Sequence, residues 1–437
     1  MNVIDNPTLY DVYTKHVHPL AVALAFAQEK GVMIDIETRD ELSKKVKDDI
    51  KQTKKRINEL ASEVYKKDVQ LNPNSSKQVQ ELLYKQMRFP VVYNTDQRPT
   101  ANEDAILKLA RKYPSEEVLD LILKYRKDTK LISTFLEVNV DENNCMHTSY
   151  NASGTKSFRI SSSQDLWKSG MNLQNIPTGK RPGVTNIRHL FMARPSKVFV
   201  KADLVQAETM VVARILCRYG DYTLWDKYAN DADFDVHRWA AAGIYNIDEK
   251  SVQSIQRSVG KVANHSSNYC AGPRAIQSTA LKWGVENIDY DMAKHIIATR
   301  RKELPGLVKW WRDTERKIRM TRTLTTCLGR RRTFFGRTND NSVIRDAVSF
   351  EPQSTVGDIC NTMFRRLYNT LPEGACVLLQ VHDEVVVECY ESQVDEVVKL
   401  IKQSGVVPLW LNKNMDPLII PLEISIGKNW RDMCVLS

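Results

Sequence analysis

The chain has 437 residues, 42% of them hydrophobic, which is enough for two or three domains and excludes global disorder. A formal net charge of +10 favours a polyanionic partner such as nucleic acid without specifying one. The eight cysteines form no CxxC pair or zinc-type spacing, and no apolar run approaches the ~18 residues of a membrane span, so a reduced cytoplasmic protein with no membrane partner is expected. From Thr38 to about Lys67, Leu42, Val46, Ile50, Ile57, Leu60 and Val64 recur at helical spacings, and Thr38 with Glu41 reads as a capping box. The loop "NPNSS" ends that helix, and Ser75 with Gln78 offers a cap to the next. More helix is expected from Glu103 to Ile132. A helical bundle with a solvated charged face and a DNA-gripping arm fit this region equally well.

Composition changes after the polar stretch "DENNCMHTSYNASGTKSFRISSS". "SKVFVKADL" reads as a strand, Lys197 to Ala202, that delivers Asp203 at its end. Helical patterns dominate from about Asp221 to Thr321, and "LTTCLGRRRTFFGR" then returns to short strands and turns. A helix follows Asn341, another covers Val394 to Ile401, and "LIIPLEISIG" reads as a closing strand. Between those two helices, "LLQVHDEVVVE" reads as a hairpin with His382, Asp383 and Glu384 at its tip. The tip lacks the Asn-Gly or Gly-Gly of a tight turn, and a buried hairpin is a costly place for two carboxylates.

Asp203 and Asp383 each stand at the edge of an apolar strand. A hard divalent ion such as Mg²⁺ explains both, because it takes oxygen ligands and cancels charge. Capping a turn explains either one alone. In "RSVGKVANHSSNY", Arg257, Lys261, His265 and Tyr269 recur every four residues and form one slowly winding helical stripe. Two cations followed by two rings suit a triphosphate lying along a helix with a base stacked at its far end. A solvated basic face accounts for the two cations but not for the rings.

These residues carry a resemblance to the polymerase portion of family A DNA polymerases, across nearly the whole chain. "DLVQAE" and "QVHDE" resemble the two palm motifs of that family, and "RSVGKVANHSSNY" its fingers helix. "SFRISS", "NLQNIP", "DVHR", "LGRRR" and "RDAVSFEPQSTVGD" stand in the expected order, and "NPNSSKQVQELL" resembles the thumb. The resemblance implies an α+β right hand with a helical thumb, an antiparallel-sheet palm and helical fingers. Thumb would be residues 1–144, palm 145–218 and 340–437, and fingers 219–339. The implied activity is template-directed addition of deoxynucleotides to a primer 3′-hydroxyl by a DNA polymerase, without a proofreading domain of its own.

By the same resemblance, Asp203 and Asp383 would bind two Mg²⁺ ions ~4 Å apart, with Mn²⁺ as a substitute, and Glu384 would assist from behind. Arg257, Lys261 and His237 would contact the triphosphate, with Lys261 counted among the catalytic residues. Tyr269 would close over the nascent base pair, Glu208 would block a ribose 2′-hydroxyl, and Gln206 would line the same pocket. Arg159, Arg345, Gln353 and His382 match positions that hold the primer–template. A surface salt bridge explains Arg345 equally simply, and a helix surface position explains Gln353. The implied partners are primer–template DNA and deoxynucleoside triphosphates, with a separate exonuclease or processivity factor, for a monomer in a bacterial or phage-infected cytosol.

The chain departs from the family pattern at several positions. Leu204 and Val205 replace Tyr-Ser, His265 replaces Phe or Tyr, Ser349 replaces Asn, and Cys270 replaces Gly. These departures bear on nucleotide selectivity and fit a divergent phage-type member. The opening "NVIDNPTLYDVY" resembles the last helix of an exonuclease domain, and an ordinary capping segment fits it as well. Two rival readings are a single-subunit RNA polymerase, which Glu208 argues against, and a catalytically inactive DNA-binding accessory protein, which the retained Asp203, Asp383 and Lys261 argue against.

Overall fold

The computed structural model describes residues 8–94, 96–167, 169–179, 185–412 and 414–436. The part of "NVIDNPTLYDVY" before Thr8 lies outside the described residues, and Leu9–Val12 is helical. The long N-terminal helix spans Ile36–Tyr65, and its cap is Asp35 where Thr38 was expected. The Asp35 carboxylate accepts both the Thr38 N–H at 3.0 Å and the Thr38 hydroxyl at 2.7 Å. An anionic acceptor one turn earlier outcompetes the threonine hydroxyl for the free N–H groups. Ser75 caps Ser76–Gln80 through the Gln78 N–H, as expected.

The helical stretch expected from Glu103 to Ile132 is present as two helices, Glu103–Lys112 and Glu117–Leu131. Pro114 separates them, because it has no N–H to donate and biases the residue before it away from the helical region. Ile57, Leu82, Ile106, Leu119 and Ile122 form the buried core of this helical lobe. The preceding helix, His18–Lys30, packs elsewhere: Leu20, Ala23, Leu24 and Ala27 bury against Val200, Ala202, Val385 and Val387 of the central sheet.

That sheet is antiparallel throughout and has the strand order Cys434–Val435, Leu422–Gly427, Lys197–Leu204, Glu384–Tyr390, Cys376–Val381. Lys197–Leu204 is the middle strand, two residues longer than expected at its far end. Its register sets Asp203 opposite Glu384 on one side and Glu423 on the other. Strand alternation sends Val198, Val200 and Ala202 onto Met363 and Phe364 of the Asn341–Thr370 helix, while Phe199 buries on the opposite face.

A helical lobe and the small hairpin Thr323–Thr325/Arg331–Thr333 connect the two halves of the sheet in sequence. Within the lobe, Val236–Tyr245 crosses Ser254–Asn268 at Gly260. A Cβ there would collide with the His237 carbonyl oxygen, so the crossing requires glycine. Among the described residues, no helix is long and apolar enough to cross a membrane.

Candidate functional site

The hairpin tip and the end of the middle strand converge. The Leu204 N–H donates to the Asp383 carbonyl at 3.1 Å, which ties the turn to the strand that carries Asp203. His382 closes the two-residue turn with φ 58°, taking the left-handed conformation usually given to glycine or asparagine. Its side chain is exposed at the tip.

Three carboxylates meet here, and they are not equivalent. Glu384 is buried and already answered: its carboxylate accepts from Arg188 at 3.0 Å and lies 3.9 Å from Lys201. Among the described residues, Asp203 makes no such ion pair. Burial first, and then the negative charges of Asp383 and Glu384, push its carboxyl up to about 7. Burial raises Asp383 as well, with Glu384 adding to it and Arg159 opposing. Two underneutralised carboxylates with oxygen-only donors are what a hard divalent cation binds. Among the described residues, no three His, Cys, Asp or Glu side chains converge to hold a metal by themselves.

A second constellation adjoins the first. The Glu208 carboxylate accepts from Arg159 through one oxygen and from the Tyr269 hydroxyl through the other. Burial, and then Glu208, hold the Tyr269 phenol well above its usual range, with the neighbouring Gln353 side chain opposing. Arg159 lies across Gly357 of the Asn341–Thr370 helix, where a Cβ would stand 3.0 Å from Arg159 Cγ. Four residues expected at the site, from four separate segments, are thus brought into one bonded group.

The expected helical stripe forms on Ser254–Asn268, and Tyr269 is that helix's C-cap. Arg257 is held by Asp235 at 2.6 Å; Asp235 also caps the neighbouring helix through the His237 and Arg238 N–H groups. Lys261 is exposed, with Nζ 5.6 Å from the Trp283 ring centroid. His265 lies 5.3 Å from Trp283 and 5.6 Å, edge-on, from Tyr269. Burial pushes His237 down to about 4, so it is neutral at pH 7.

Two expected residues sit apart from these bonds. Gln206, in the left-handed conformation before its helix, has both ends of its amide engaged: it accepts from the Tyr228 hydroxyl at 2.9 Å and donates to the Phe234 carbonyl at 3.0 Å. Arg345 is half-buried near Cys270 and makes no ion pair among the described residues. Sequence reasoning missed Arg188, Asp235, Trp283 and the buried pair Arg330–Asp358, joined at 2.9 Å. Asp235, Arg330 and Asp358 lay inside motifs already singled out; Arg188 and Trp283 carried no local signal.

The Pol1 polymerase domain of M. smegmatis, solved with DNA primer-template and dNTP, matches with a TM-score of 0.81 at 23% identity, covering 96% of this chain and 70% of that one. The fold is therefore the α+β right hand of polymerases. The family model "DNA polymerase family A" matches residues 37–432, and the chain belongs to that family. It is 27% identical over 433 residues to the thermostable DNA polymerase I of Thermus aquaticus, covering 96% of this chain and 48% of that protein. To DNA polymerase I of Bacillus subtilis it is 26% identical over 456 residues, covering 98% and 47%. The chain spans about half the length of the curated relatives it matches.

Proposed function

We propose that this chain is a DNA-directed DNA polymerase that extends a primer 3′-hydroxyl with deoxynucleotides along a template. The observation that carries the reading is the convergence of Asp203 and Asp383, both raised first by burial and then by neighbouring carboxylates, beside a Glu384 whose charge Arg188 already answers. Asp203 and Asp383 would hold two divalent ions, Mg²⁺ or in its place Mn²⁺, with the remaining ligands coming from substrate and water. When bound, such ions neutralise charge on the transferring phosphoryl group and lower the pKa of the attacking hydroxyl.

The protein's own side chains bind and orient. Arg257 and Lys261 meet the triphosphate, Arg257 through a fork and Lys261 as a point charge. His237, neutral by burial, offers a hydrogen bond and no charge. Glu208, fixed between Arg159 and Tyr269, walls off the sugar 2′ position, and Tyr269 backs the base pair. Arg159, Gln353, Arg345 and His382 face the primer–template. Gln206 lines the same pocket, held in place by the Tyr228 hydroxyl and the Phe234 carbonyl.

We assign the palm to 145–218 with 340–437 and the fingers to 219–339. The packing of His18–Lys30 against the sheet supports a thumb body that starts near Ile36 and not at the first residue. A primer-extension assay with separate deoxy- and ribonucleotide pools tests the function. Extension from deoxynucleotides in Mg²⁺ is expected; no extension from either pool would overturn it.

A further inference from the structure

The hairpin Thr323–Thr325/Arg331–Thr333 carries a feature that the reaction above does not use. Burial alternates along residues 331–335: Arg331, Thr333 and Phe335 are exposed, Arg332 is half-buried and Phe334 is buried. Phe334 anchors the segment beside Ile318, Ala347 and Phe350, and Phe158 packs against the same cluster. From behind, the Arg322 guanidinium lies 3.4, 3.5 and 3.2 Å from the carbonyl oxygens of Phe334, Phe335 and Gly336. The backbone around Phe335 is thus held on both sides while the residue is 89% exposed.

A single exposed Phe is ordinary. Its neighbours set this one apart: Arg331 and Arg337 are both exposed, and neither pairs with a carboxylate among the described residues. A fixed aromatic face between two cations is the chemistry that holds single-stranded nucleic acid, with the ring stacking on a base and the guanidinium groups meeting phosphates. A duplex offers base faces only at its ends, and one ring is too little apolar area for a stable protein interface. The platform also adjoins the candidate site. The Asn341–Thr370 helix that supplies Ala347 and Phe350 to its anchor carries Arg345 and Gln353, and Phe158 directly precedes Arg159.

In a primer–template, the unpaired bases belong to the template beyond the primer terminus. We propose that Phe335, flanked by Arg331 and Arg337, is a stacking platform for that unpaired template strand. The proposal rests on the polymerase reading above.

The test compares binding of a blunt duplex with binding of the same duplex carrying a template overhang of about eight nucleotides, a length within the range of single-strand sites. Wild type is expected to bind the overhang substrate more tightly. Phe335→Ala should lose about five- to tenfold of that affinity, Phe335→Trp should keep it, and both should bind the blunt duplex as wild type does. Arg331→Ala with Arg337→Ala should flatten the salt dependence for the overhang substrate alone. An unchanged overhang preference in Phe335→Ala overturns the platform while leaving the polymerase reading intact. Equal losses on both substrates overturn it in favour of a duplex contact. A wild type that binds neither substrate overturns the polymerase reading and the platform together.

Discussion

Arg188 and Glu384 face each other at 3.0 Å, directly behind the strand end that carries Asp203. Arg188 is itself stacked 4.1 Å above the Trp430 ring, so the cation is held in place and not merely nearby. One of three clustered carboxylates is therefore neutralised by the protein and two are left for something else. Removing only the cation should strand a buried charge. Arg188→Met is expected to cost about 3 kcal/mol of stability, and Arg188→Met with Glu384→Gln to recover much of it. Urea denaturation midpoints of the two variants decide this; equal losses would show that the pair does not act as a unit.

Asp203→Asn or Asp383→Asn should reduce single-turnover primer extension by at least about a hundredfold while leaving primer–template affinity nearly unchanged. Transition-state charge stabilisation is lost, whereas affinity comes mainly from phosphate contacts made elsewhere. Extension within tenfold of wild type for either variant would contradict the metal-holding role.

Glu208 is fixed at both oxygens, by Arg159 and by Tyr269. If it walls off the 2′ position, Glu208→Ala should raise the ratio of ribo- to deoxynucleotide efficiency by about tenfold or more. Tyr269→Phe removes one tether and should move the same ratio in the same direction by less. Efficiencies measured for matched pairs of triphosphates give the answer, and an unchanged ratio in Glu208→Ala removes Glu208 from that role.

Acid should weaken the fold through two half-buried imidazoles. Burial lowers both His237 and His16 from 6.5 to about 4. Between those values the unfolded chain binds more protons than the folded one, so stability present above pH 6.5 is lost as pH falls toward 4. Each histidine contributes a slope of at most ~1.4 kcal/mol per pH unit, and less where solvent reaches it. His237→Gln is expected to flatten the loss over that window in denaturation curves taken across it. An identical slope would show that His237 is protonated in the folded chain.

Much of this architecture is legible in the residues, and the exceptions share a cause. The strand at Asp203, the His382 hairpin and the stripe from Arg257 to Tyr269 announce themselves because side-chain periodicity is a local property. Asp35 displaced Thr38 as a cap because two acceptors competed for the same N–H groups, and pattern alone does not rank them. Arg188 could not be found by any window, since it stands on the short helix Arg188–Leu190, 196 positions before the strand that carries its partner Glu384, and only the tertiary fold brings them together. The partners that fix Gln206, Tyr228 and Phe234, lie more than twenty residues downstream and were equally invisible to a local pattern.

The crossing at Gly260 has a mechanical meaning. Where two helices touch backbone to backbone, no side chain lies between them to act as a cushion, so they cannot slide without breaking contact. His237 on one helix and Arg257 and Lys261 on the other are consequently parts of one stiff lever, further bolted by Asp235, which caps the first helix and grips the second. Whatever swing the lobe makes toward the sheet, the spacing of its polar side chains travels with it unchanged.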